Sequence, residues 1–213
     1  MKIIKPKILN LEESIQIQEN INIANKEEND LKDFFFKDLK ESYLEVEKID
    51  ITNCRFKNCK CIDSEFNNTS FTDVIFENCD FSNSNFNEAN FVRVEFINCK
   101  LVGCDFSESV LYNTYIKECN LAYINMTMAN LKNVRIEQTN LSNGSMSECK
   151  FNNIEFHEDS LYNTQLFKTN LGKIDFSTCD ITGITVNTQD IKGMIVNELQ
   201  ALELSKLLGI VIK

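Results

Sequence analysis

From Ile51 to Val196 every fifth residue of this chain is apolar, in one unbroken register. The run opens Ile51, Phe56, Cys61, Phe66, Phe71, Phe76 and closes Phe176, Ile181, Val186, Ile191, Val196. A helix returns to one face about every 3.6 residues and a strand about every 2, so neither element explains a spacing of five. The residues two places earlier are small or aliphatic: Cys54, Cys59, Ser64, Thr69, Val74, Cys79, Ser84, Ala89. The other three positions are mostly Asn, Asp, Glu, Lys and Ser. Each five-residue unit therefore turns one large and one small side chain inward and three polar ones outward.

A second period overlies the first. Sampling the small class every twenty residues gives Cys59, Cys79, Cys99, Cys119, Thr139, Asp159 and Cys179. The neighbouring class gives the bulkier Cys54, Val74, Val94, Thr114, Val134, Ile154 and Ile174. Residues stacked over one another share an environment and should share a size, as these columns do. Four units of five then close one square coil, and the coils stack as a solenoid.

Segments such as Cys79-Asp80-Phe81-Ser82-Asn83 and Ala89-Asn90-Phe91 resemble the pentapeptide-repeat family over roughly residues 44–196. The resemblance implies an all-β solenoid, a right-handed quadrilateral β-helix with a short C-terminal capping helix. The expected organisation is an N-terminal extension or cap over 1–31 and a rod of about eight coils over 32–196. A capping helix and tail that dimerise are expected over 197–213.

The two ends read differently from the rod. The register runs back through Ile49, Val46, Leu44, Leu39, Phe36 and Phe34, although Glu41 breaks it. Ile15-Gln16-Ile17 and Ile21-Asn22-Ile23 alternate like short strands, and Lys26 to Asp30 reads as a charged turn. This segment is expected to cover the first coil and its strand edge. At the other end Asn197 is suited to cap a helix over Glu198–Leu208 that Gly209 would stop. Its apolar residues, with Leu199, Leu202, Leu204, Leu207, Leu208 and Ile210 as the expected dimer interface, exceed the single stripe a cap needs. The segment from Gly193 to Ile210 resembles the C-terminus of the quinolone-resistance (Qnr) branch of the family. That resemblance implies a dimeric acidic rod that stands in for DNA and binds DNA gyrase and topoisomerase IV. Qnr rods from many bacteria carry loop insertions, and residues 51–196 contain none.

A net charge of -10 argues against nucleic acid as a partner and against an anionic membrane. No stretch is apolar enough to span a bilayer, and the first residues lack the apolar core of a signal peptide. Nine cysteines without such a signal point to free thiols in a reducing cytoplasm. Their register makes them small core fillers, so neither a metal nor a cofactor is expected. The one histidine, His157, falls at an outward position. Asp159 falls at an inward one, where a local bulge is expected to release it. No catalytic set can be assembled, and the chain reads as a non-enzyme. The acids Asp63, Glu65, Asp73, Glu77, Asp80, Glu88, Glu95, Asp105 and Glu108 form the candidate acidic binding surface. The outward aromatics Tyr112, Tyr115, Tyr123, Tyr162 and Phe167 break the polar rule and mark a candidate protein contact. The expected function is an acidic binding rod that engages a type II topoisomerase; the alternative is an interaction scaffold with another partner.

Overall fold

The computed structural model describes residues 2–26, 30–46 and 48–211. Residues 27–29 of the expected charged turn and Ile212 of the apolar tail lie outside that set. The chain forms a four-sided parallel β-solenoid of about seven turns with a short C-terminal helix. Six eight-residue strands repeat at intervals of twenty: β4 (Asp50–Lys57), β5 (Ser70–Glu77), β6 (Asn90–Ile97), β7 (Val110–Lys117), β8 (Asn130–Glu137) and β9 (Lys150–His157). Every pairing among these six joins residue i to residue i+20, as in Phe71↔Phe91 and Val74↔Val94. The remaining sides are held by single bridges such as Lys60↔Asp80 and Glu65↔Asn85.

Each long strand turns a corner in its middle. Asn53, Asp73, Arg93, Asn113, Asn133 and Asn153 all have positive φ. Asn and Asp tolerate this left-handed conformation better than other side-chain-bearing residues, which explains why Asn is frequent at these corners. Where Gly103 takes such a corner, a Cβ would lie 2.9 Å from Asn83 Oδ1. On the bridge-held sides, Asp80, Asn85, Asp105, Asn125 and Asn140 each accept the backbone N–H two residues on, fixing the turns locally.

The large inward residues stack coil on coil. Phe71 and Phe91 lie 4.9 Å apart with rings 3° from parallel, and Phe76 and Phe96 lie 4.8 Å apart. These distances match the spacing of paired strands, about 4.8 Å. The small inward residues have a second role beyond filling space. Ser64 Oγ accepts the N–H of Leu44, Thr139 Oγ1 that of Cys119, and Thr169 Oγ1 that of Cys149. Several of the same class donate to a carbonyl of the preceding coil: Thr169 to Met146 at 2.7 Å, Cys104 to Phe81 at 2.9 Å. A small hydroxyl or thiol both accepts and donates, so it satisfies two buried backbone groups that a methyl would leave bare.

Asp159 corrects the expected bulge. β8 and β9 pair without interruption, and the coil continues through Ser160↔Asp180. The buried carboxylate takes the place of the hydroxyl in its column, accepting N–H groups from Thr139 at 2.8 Å and His157 at 2.9 Å. The coil total is also lower than the eight expected. Past Val186 the chain runs into turns over 188–193, and Ile191 and Val196 are only partly buried.

The N-terminal end holds a helix where alternation suggested strands: α1 (Ile17–Ala24). Ile17, Ile21 and Ala24 are spaced i, i+4, i+7 and are all buried in the core. That helical face outweighs the period-two pattern, and it leaves Ile15 and Ile23 exposed. β1 (Glu12–Ser14) pairs with β3 (Phe34–Lys37), and β2 (Asp30–Lys32) pairs with β4, so the twenty-residue register begins at Asp30.

Candidate functional site

At the C-terminal end, α2 (Glu198–Ser205) continues into a 3-10 turn, Lys206–Leu208. Asn197 and Gln200 form a reciprocal capping box, and Gly209 ends the turn at a φ of 71°. The helix is seated by polar contacts. Gln200 is buried, and its Nε2 donates to Phe176 O at 2.9 Å and Cys179 O at 2.7 Å, closing two carbonyls of the last coil. Leu204 packs against the core. Of the six residues expected at a dimer interface, Leu204 is therefore turned inward, while Leu199, Leu202, Leu207, Leu208 and Ile210 are exposed together with Val211. The leucine excess was legible in the sequence. Gln200 was missed, although Asn-x-x-Gln before an apolar run is a recognisable capping signal.

The nine acids are spread around the coil. Asp73, Glu77 and Glu95 lie on the long-strand sides. Asp80 lies on the next side, and Glu65 and Asp105 share a column on the one after. Asp63, Glu88 and Glu108 sit at left-handed corners. Several are already neutralised. Asp73 receives both Nε and Nη2 of Arg93 at 2.7 Å. Burial pushes its carboxyl up, but Arg93 and the Lys7 N–H outweigh that and hold it below its usual range. Glu77 is bonded to Lys57 and Arg55, which hold its carboxyl low. Asp80 meets Lys100 at 3.4 Å.

Of the outward aromatics, Tyr123, Tyr162 and Phe167 are exposed, while Tyr115 donates to Glu137 at 3.0 Å. The Tyr112 ring lies under Lys132 Nζ, 5.4 Å away. All nine cysteines are buried and unpaired. Burial pushes the thiols of Cys54, Cys104 and Cys149 up to about 12, so they stay protonated and unreactive. His157 Nε2 lies 3.7 Å from Glu158 on the half-exposed surface. Among the described residues no three His, Cys, Asp or Glu side chains converge as a metal site. No helix among them is long and apolar enough to cross a membrane.

A side that the sequence did not announce lies on the long strands. Residues 2–10 run across β4, β5 and β6 in the direction opposite to the stacking. Leu9 is paired to Asn53 through both its N–H and its carbonyl, at 2.9 and 2.7 Å. The Lys7 N–H meets Asp73 Oδ1 at 2.9 Å, and Lys5 Nζ lies 3.8 Å from Glu95. Beyond them, Lys2, Ile3 and Lys5 line an open cleft with Glu95, Tyr115 and Arg135.

A family model described as the pentapeptide repeat region matches residues 49–126 and 89–166. Among solved structures, a trypsin-treated variant of QnrB1, a plasmid-mediated fluoroquinolone resistance protein, is similar at a TM-score of 0.51 and 17% identity. That likeness covers 84% of this chain and 100% of the other, and it shows a shared fold. HetL, a pentapeptide repeat protein involved in heterocyst differentiation regulation from the cyanobacterium Nostoc sp. strain PCC 7120, matches at a TM-score of 0.38 and 11% identity. It covers 83% of this chain and 92% of its own. No curated protein matches in sequence.

Proposed function

We propose, from the premise that this chain belongs to the pentapeptide repeat family, that it is a non-enzymatic cytoplasmic binding rod that pairs with a second copy through its C-terminal end. The division follows the three stretches of sequence: 1–31 covers the first coil, 32–196 forms the rod and 197–213 associates. The carrying observation is the set Leu199, Leu202, Leu207, Leu208 and Ile210, exposed on and just after a helical segment that Gln200 and Asn197 already hold in place. Six exposed apolar side chains at one end, counting Val211, form the kind of patch that a symmetric partner would bury. Sedimentation of the wild type should give a dimer, and Leu202→Glu or Leu207→Glu should give monomers. A monomeric wild type removes the pairing.

A narrower reading makes the partner a type II topoisomerase, with the rod standing in for duplex DNA. It draws support from the likeness to QnrB1 and from the net charge of -10. Duplex DNA carries one charge per about 1.7 Å. Residues 51–196 carry 18 acids and 12 bases, a net of -6, and Asp73, Glu77 and Asp80 already face cations. We therefore rank a scaffold for another protein partner above it. Gyrase supercoiling assays with and without a fluoroquinolone separate the two. Protection or inhibition at micromolar protein supports the topoisomerase, and neither effect removes it.

A further inference from the structure

Residues 2–10 follow none of the five-residue rules, yet they are held on the rod by side chains of the left-handed corner column. Asn53 and Asp73 stand twenty apart in that column, and they take the N–H groups of Leu9 and Lys7, two residues apart in the segment. Asn53 also donates to the Leu9 carbonyl. These contacts read main chain, so any extended peptide can make them. The charges add selectivity, because Lys2, Lys5 and Lys7 lie along Asp73 and Glu95.

The segment fits this track incompletely. Two extended residues advance at most about 7 Å, whereas one coil rises about 4.8 Å, so the chain must slant across the column. Lys5 accordingly meets Glu95 rather than the column residue Arg93. Asn113, the next Asn of the column, is 2% exposed and its Oδ1 has no partner. Glu95 Oε1 is buried without a hydrogen bond. The segment contributes no fully buried side chain to its own retention, and Ile4, Lys5 and Leu9 are exposed.

We propose that this column is a docking track for an extended, lysine-bearing segment of a partner protein, and that residues 2–10 occupy it as an exchangeable intramolecular stand-in. The partner segment gives alternate N–H groups to Asn53 and Asp73 and its ammonium groups to Asp73 and Glu95. The track lies on the side of the rod and does not depend on pairing at the C-terminal end.

The probe is a fluorescent peptide with the sequence of residues 2–10, titrated into full-length protein and followed by anisotropy. A full-length Lys5→Glu/Lys7→Glu variant repels its own segment from Asp73 and Glu95. It should bind the probe at least about tenfold tighter than wild type, in which the track is filled. Adding Asn53→Gly, which keeps the left-handed corner and removes the amide, should abolish that gain. A probe N-methylated at the residues matching Lys7 and Leu9 keeps its charge and loses the two N–H donors, so it should bind at least about tenfold more weakly. Equal binding to both proteins, or equal binding of both probes, overturns the track. Sedimentation gives the remaining arm: a wild-type dimer dissociated by the probe but intact in the probe-free Leu202→Glu variant would assign the track to a second copy and overturn the partner.

Discussion

At the N-terminal end three side chains of α1, Ile17, Ile21 and Ala24, are almost wholly buried against the first coil, and β1 extends the edge strand. At the C-terminal end α2 contributes one buried residue, the polar Gln200, and presents Leu199 and Leu202 outward. Both helices stop the stack, but by different physics. The first removes apolar area from water on one face and leaves Ile23 outward on the other. The second satisfies the last carbonyls by hydrogen bonds, packs Leu204 against the core and leaves Leu199 and Leu202 exposed. A solenoid needs closure at both ends, and these two ends are closed by different means.

The contrast can be broken most severely at the sealed end. Ile21→Ala should destabilise the N-terminal coils by about 4 kcal/mol, the range for emptying a fully buried aliphatic site. Hydrogen exchange should localise the loss to β3 and β4, since stability in a stack is regional. Exchange spread evenly over all coils would show that the ends do not act separately.

The next largest effect sharpens the contrast through pH. Burial pushes the Asp159 carboxyl up to about 7, against the Thr139 and His157 N–H groups that favour its ionised form. Below the unfolded value of 3.8 both folded and unfolded forms hold the proton and the stabilisation is complete. As pH climbs toward and through 7 the unfolded chain has already released its proton, so stability is lost, on the order of 3 kcal/mol. The loss should appear in the C-terminal coils and not the N-terminal ones. Asp159→Thr, which restores the hydroxyl of the column, should flatten the profile; an unchanged slope would place the titration elsewhere.

Gln200→Leu should cost about 2 kcal/mol at the C-terminal end, because the Phe176 and Cys179 carbonyls lose their donor inside the cap. Amide exchange over 171–196 would register it. Leu199→Ser should shift the melting of dilute protein by less than about 0.5 kcal/mol, since Leu199 is 75% exposed. It should lower melting only at concentrations where copies pair. A large effect in dilute protein would mean that the outward leucines hold the chain's own fold.

The rod was legible because one geometric rule is repeated without interruption, so Phe56 through Phe106 could be placed inward from the period alone. The ends were harder, since nothing there repeats. At α1 two patterns overlapped on the same isoleucines, and the helical one won because Ile17, Ile21 and Ala24 share a face against the first coil. Asp159 was assigned the right direction and the wrong consequence. The period shows which way a side chain points; it does not show that the column it enters needs an acceptor. The track under residues 2–10 was legible only in part: Asp73 and Glu95 were singled out as acids of a binding surface, but Asn53 read as an ordinary surface residue until the corner column aligned it with Asp73.

The acceptors of the small column face one way along the axis. Thr139 serves Cys119, Asp159 serves Thr139, and Thr169 serves Cys149, each later residue completing an earlier turn. Damage therefore has a heading. A methyl in place of the Thr169 hydroxyl would strand the Cys149 N–H and the Met146 carbonyl one coil upstream, so a lesion and its main symptom would lie on different storeys of the tower.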